Sequence, residues 1–250
     1  MIVTINRPEA RNAVNRDVSL ALGHALEQAE NDDSIWVIVL TGAGDKAFSA
    51  GADLKARTQG TQPVSPSAAE ASWGFGGYVR HSISKPTIAA VNGFALGGGL
   101  ELVLASDLAV AADTATFGLP EVRRGIYAAA GGAIRLPRQI PQKIAMEMLL
   151  TGLPITAQRA AELGLVNVVV PASEVLNAAL TLAETICEAA PLSVRASKRI
   201  ALGIVDGVIV DEEPDWARNA SEGVTLRESA DSQEGPRAFV EKRAPVWQAR

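Results

Sequence analysis

Apolar residues in this chain follow two rhythms. Largely apolar runs occur at 35–40, 87–91, 108–112 and 166–170, and each reads as a strand, those at 35–40 and 87–91 as strands covered on both faces. Met1 to Asn6 alternates and reads as a half-buried strand, closed by the turn Asn6-Arg7-Pro8. Val18, Ala21, Leu22, Ala25, Leu26 and Ala29 recur at helical spacing, with Asp17 as the expected N-cap. Helices are also predicted over 68–82 (weakened by Gly74, Gly76 and Gly77), 100–109, 131–136 and 142–150. From Ser173 onward the pattern is nearly all helical, with breaks near Pro191, Gly203 to Gly207, and Gly235-Pro236. Strands mixed with helices early and helices alone late predict an α/β core followed by a helical C-terminal part. No low-complexity tract or short repeat stands out.

The junction between the strand at 87–91 and the following helix carries the strongest chemical signal. Gly97-Gly98-Gly99-Leu100-Glu101 lets backbone approach a ligand and then opens a helix whose first N–H groups lack intrahelical partners. Such amides suit a developing oxyanion, and Glu101 sits beside them as a proton carrier. The local pattern equally fits a packing turn with a favourable charge at a helix N-terminus.

Composition narrows the classes. With 48% hydrophobic residues the chain has enough apolar material for a large core. A net charge of −5 argues against a general nucleic-acid binder. The single cysteine, Cys187, excludes an internal disulfide, fits a reducing compartment and is expected to be a buried small hydrophobe. No apolar run reaches membrane-span length, and Arg7, Pro8 and Glu9 interrupt any leader-like stretch. The expectation is a cytoplasmic protein without membrane or nucleic-acid partners.

Other motifs are weaker. Gly42-Ala43-Gly44-Asp45-Lys46-Ala47 formally matches a dinucleotide fingerprint, but no helix follows and 62–69 lacks the expected acidic residue. Phe48 to Lys55, rich in small residues, reads as a second place of backbone approach, or as a turn capped by Asp53. Glu121 follows Pro120 and alone reads as a surface carboxylate. His24 and His81 lack metal-ligand spacing and read as structural.

Together, Asn6 to Ala13, Ala47 to Lys55, Ala90 to Glu101, Phe117 to Glu121, Gly131-Gly132, 160–170 and Glu234 to Arg243 resemble the enoyl-CoA hydratase/isomerase (crotonase) superfamily, in order and over essentially the whole chain. The resemblance implies a spiral of ββα turns over residues 1–190 and a helical trimerisation region over 191–250, giving a homotrimer or a dimer of trimers. Met1 to Asn6 matches the second strand of the family's N-terminal hairpin, so its usual partner strand is expected to be missing. The resemblance further implies an acyl-CoA thioester substrate and no cofactor or metal. The backbone N–H groups of Ala52 and Gly98 match the oxyanion hole, and Glu101 and Glu121 match the glutamate pair of true hydratases. Arg11, Lys46, Ala50, Asp53, Leu54 and Lys55 lie in or beside the matched CoA-binding stretches. Phe239 and Lys242 match positions that can reach a neighbouring subunit's CoA. Two carboxylates in one small site cannot both ionise easily, so one pKa should rise.

The implied activity is reversible hydration of a trans-2-enoyl-CoA. Alternatives are a crotonobetainyl-CoA (carnitinyl-CoA) hydratase, which the C-terminal segment also resembles, a Δ3,Δ2-enoyl-CoA isomerase, and a non-enzymatic relative. Family hydratases commonly carry Pro-Gly where this chain has Ala128-Ala129, which changes the wall near the reacting atoms. Tyr127, Trp73, Phe75 and the 59–67 loop are candidates for the acyl pocket.

Overall fold

The computed structural model describes residues 1–53 and 67–250, so Leu54, Lys55 and most of the 59–67 loop lie outside the described residues. Strand β1 (Ile2–Ile5) leads through a short turn to helix α1 (Arg16–Asn31), β2 (Ile38–Gly42) and β3 (Ala47–Ser49). A short α2 (Ala68–Ser72) precedes β4 (Thr87–Val91), β5 (Phe94–Leu96) and α3 (Gly98–Ala105). Next come β6 (Leu108–Ala112), β7 (Thr116–Gly118), α4 (Gly132–Gln139), α5 (Gln142–Thr151), β8 (Ile155–Thr156), α6 (Ala157–Glu162) and β9 (Val168–Val170). The rest is α7 (Val175–Cys187), α8 (Pro191–Leu202), the hairpin β10 (Ile204–Val205) and β11 (Val208–Ile209), α9 (Glu213–Arg227) and α10 (Ala230–Glu241).

The pairs β2/β3, β4/β5 and β6/β7 each place one strand in each of two sheets. One sheet runs β1-β2-β4-β6-β9, all parallel; the other runs β3-β5-β7-β8, parallel except for β7 against β8. This stepwise repeat is the expected spiral, and it stacks the loops that follow β3, β5 and β7. β2 and β4 are mostly apolar and buried at every position, and buried Thr41 satisfies its hydroxyl by donating to the Ala90 carbonyl at 2.8 Å. β1 and β9 lie at the two edges of the first sheet among the described residues, β1 pairing with β2 from Ile2 opposite Val39 to Ile5 opposite Gly42.

Several local expectations are corrected. Asn15, not Asp17, caps α1, its side chain accepting the Val18 amide at 3.0 Å. The helix expected over 68–82 stops at Ser72, because Gly74 (φ +71°) turns the chain out of the helix; Gly77 (φ +64°) then lies flat against α1, where a Cβ would stand 2.0 Å from the Ser19 carbonyl oxygen. Gly235-Pro236 does not break α10; Gly235 lets the helix rest on the Arg124 carbonyl, 2.0 Å from where a Cβ would stand. Cys187 is exposed, since the buried stripe Val175, Ala179, Ala183 ends one turn before it.

The C-terminal helices are pinned to α4 by one buried ion pair. Arg135 donates to both carboxylate oxygens of Glu212, at 2.9 and 2.8 Å, and Trp216 Nε1 donates to the same group at 3.1 Å. Burial raises the Glu212 pKa, but its hydrogen bonds and charge pairing with Arg135 outweigh that and hold it low.

Candidate active site

The first half of the site is the turn into α3. The Gly97 amide donates to the Gly118 carbonyl at 2.9 Å, and the Gly97 carbonyl accepts the Leu100 and Glu101 amides at 2.9 and 3.1 Å. Gly98 is the first residue of the helix, so its amide has no intrahelical acceptor. A Cβ on Gly98 would fall 2.4 Å from the Phe75 ring, so the ring lies directly against the backbone.

The second half is the loop after β3. A parallel bridge joins Val14 to Ala52: the Val14 amide donates to Gly51 at 2.8 Å and the Asp53 amide to Val14 at 3.0 Å. Alternation along an extended chain then turns the Ala52 N–H the other way, toward the cavity that Ala52 lines. Buried Asn12 fixes this loop, donating to the carbonyls of Ala43 and Ala47 at 2.9 and 2.7 Å. The Arg7 guanidinium completes the brace, 2.8 Å from Asp53 Oδ2.

Both halves face one cavity of about 590 Å³, whose wall includes Ala50, Ala52, Phe75, Gly98, Glu101, Glu121, Tyr127 and Phe239. Glu101 is 3% exposed and accepts the Gly132 amide at 2.9 Å. Burial, then the neighbouring Glu121, push its pKa up to about 8, against the pull of the Gly132 and Ala130 amides. Burial pushes Glu121 up to about 7. Its Oε2 is buried with no hydrogen-bond partner among the described residues. Two carboxylates that ionise reluctantly near neutrality, on one cavity with two backbone N–H groups that find no acceptor among the described residues, can share one proton and pass it across the cavity while an oxyanion is held.

The fold thus brings Ala50, Ala52, Gly98, Glu101, Glu121 and Phe239 onto one cavity wall. Arg11 and Lys46 are exposed beside the loop but do not line the cavity. Asp53 is bound to Arg7, and Lys242 is the exposed C-cap of α10. Phe239 sits on this chain's own cavity, with the Arg124 guanidinium 4.2 Å from its ring centre. Phe75 and Tyr127 line the cavity as expected, whereas Trp73 is buried elsewhere, stacked 4.8 Å from His81. His81 also bonds Glu27 at 2.8 Å, a structural role. Arg124, three residues after Glu121, also belongs to the wall, as do Asn219 and Gly223, which carry no sequence signal because α9 reaches the site only through the tertiary fold.

A two-sheet spiral presenting paired backbone donors and paired glutamates defines a class of thioester-handling α/β enzymes. The chain belongs to the enoyl-CoA hydratase/isomerase family, whose model matches residues 1–250, and it is a hydro-lyase. It is 41% identical over 254 residues to a carnitinyl-CoA dehydratase of Salmonella typhi, covering 99% of this chain and 94% of that one. The carnitinyl-CoA hydratase structure from Mycobacterium avium superposes with a TM-score of 0.96 at 57% identity, covering 100% of this chain and 95% of that one. The enoyl-CoA hydratase structure from Mycobacterium tuberculosis H37Rv gives a TM-score of 0.74 at 44% identity, with the same coverage.

Proposed function

We propose that the protein reversibly adds water across the 2,3 double bond of an enoyl-CoA thioester, with a carnitinyl-type acyl group as its particular substrate. The observation that carries the reaction is the pair Glu101 and Glu121 in the cavity bounded by Ala52 and Gly98. One carboxylate takes a proton from water as its oxygen bonds to C3. The other delivers a proton to C2, so the pair starts and ends with one proton. The Ala52 and Gly98 amides hold the thioester oxygen as enolate charge develops, each such donor contributing about 3 kcal/mol of barrier lowering. The acyl group is inferred from relatives: the Salmonella and M. avium proteins are named for carnitinyl-CoA.

Cationic Arg11, Lys46, Lys55 and Lys242, with Phe239 and the backbone of Ala50, Asp53 and Leu54, would receive the CoA moiety. No cofactor enters this chemistry. Self-association into trimers, in the cytoplasm, completes the reading. Exposed Leu192 (74%), Ile200 (83%) and Val205 (57%) on α8 and the hairpin after it support a second copy as the cover.

The test follows loss of conjugated thioester absorbance with crotonyl-CoA and crotonobetainyl-CoA, and its appearance with a 3-enoyl-CoA. Consumption of crotonobetainyl-CoA with the highest kcat/KM is expected. Preference for crotonyl-CoA would remove the carnitinyl assignment and keep the reaction. Conversion of the 3-enoyl-CoA alone would replace hydration by isomerisation.

A further inference from the structure

The amides that hold Glu101 belong to a turn with little stiffness of its own. Ala128-Ala129-Ala130 contains neither proline nor a β-branched residue to restrict its backbone. Ala129 is exposed, yet Ala130 and Gly132 must keep their N–H groups on a buried carboxylate. Two bonds from α9 reach this turn. Asn219 Nδ2 donates to the Ala129 carbonyl at 2.9 Å, and the Tyr127 hydroxyl donates to the Asn219 carbonyl. One helical turn along, Gly223 passes so close that a Cβ would lie 3.1 Å from the Tyr127 hydroxyl.

We propose that Asn219 and Tyr127 form a brace between α9 and the 128–130 turn that positions the amide donors of Glu101, and through them the reactive carboxylate. Both are positioning residues. The proposal rests on the hydro-lyase reading, in which Glu101 carries a proton. It gives the C-terminal helices a direct hold on the reacting atoms. Other charged or titratable groups act on Glu101 too: Glu121 across the cavity, Arg135 on α4, and Tyr127 itself. The brace differs from these in acting on the donors rather than on the charge.

Asn219→Ala and Asn219→Asp remove the donor to Ala129, and Tyr127→Phe removes a single hydroxyl. Each variant is expected to lower kcat at pH 7 about tenfold with KM changed less than about twofold. The limb of the pH–rate profile governed by Glu101 should move up by as much as about one pH unit, because weaker donors favour its protonated form. Amide exchange at Gly132 should quicken about tenfold in the same variants, a readout independent of turnover. Wild-type kcat, pH profile and exchange in these variants would overturn the brace. So would a rise in KM at unchanged kcat, which would make Asn219 a substrate contact. If the Asn219 variants unfold, Tyr127→Phe decides. Failure of the underlying reading looks different: Glu101→Gln would then turn over at the wild-type rate.

Discussion

Gly51 and Gly98 meet so closely that a Cβ on Gly51 would lie 2.7 Å from the Gly98 amide nitrogen and 2.9 Å from the Leu96 carbonyl oxygen. The two loops bearing the proposed oxyanion donors are therefore in backbone contact, and their spacing has no slack. Gly51→Ala must part them, and its φ of +82° adds strain. We expect kcat/KM to fall by about a hundredfold or more. Gly164→Ala is the control, since that residue also has positive φ (+77°) but nothing within 4 Å of its Cβ position. It should lose a little stability and retain activity. Equal activity losses in the two variants would sink the contact argument.

The carboxylate pair dictates a pH optimum. Glu121 at about 7 and Glu101 at about 8 bracket the range in which the pair holds a single proton. Below it both are protonated and neither accepts from water; above it both are ionised and neither donates to C2. A bell-shaped kcat/KM profile centred between neutral and mildly alkaline pH is expected, measured from pH 5 to 10. A profile flat across that interval would exclude the shared-proton scheme.

The same burial costs stability. In the unfolded chain Glu101 ionises near its ordinary 4.5, while in the folded protein it holds its proton up to about 8. Between those values the native state binds more protons, so stability declines as pH rises through the interval and levels off above it. Glu101→Gln removes that term and can still accept the Gly132 amide. The variant should lose several orders of magnitude in turnover yet melt higher than wild type, with the gap widening from pH 5 to pH 8. A lower Tm at pH 8 would contradict it.

Of the site's inner parts, Gly97 to Glu101 is legible from its own glycine-punctuated junction, whereas Ala52 and Glu121 alone read as a turn and a surface carboxylate and are reached only through the family resemblance; both lie in the corresponding loops of the neighbouring turns. The spiral itself escapes single-strand reading: β3, β5 and β7 are three residues each, too short for periodicity to register. Asn219 was illegible for another reason. Its partners, Tyr127 and Ala129, stand about ninety residues away, and no local pattern announces a contact made by two folded units. Trp73, Cys187 and the Gly235-Pro236 pair misled for a shared reason: their surroundings are set by packing between elements rather than by neighbours in the chain.

The buried pair Arg135–Glu212 predicts how the C-terminal helices come loose. Side-chain exposures of 7% and 10% mean that either charge, left alone, has little water to turn to. Glu212→Ala strands the guanidinium and unfastens the Trp216 indole, and should destabilise the protein by about 3–5 kcal/mol. For a chain of this length that is a Tm loss of roughly 6–20 °C. The double variant Arg135→Met, Glu212→Leu removes both charges together and should recover most of the loss, because an apolar pair avoids the desolvation of two ions. Because Glu212 is held below its ordinary pKa, its contribution is present above pH 4.5 and fades as pH falls through the lower native value. The excess destabilisation of Glu212→Ala should therefore shrink in acid. Thermal melts of wild type and both variants at pH 7 and pH 4 measure all three expectations. A double variant no more stable than Glu212→Ala would show that the pair's geometry, not its charge balance, holds α9 to α4.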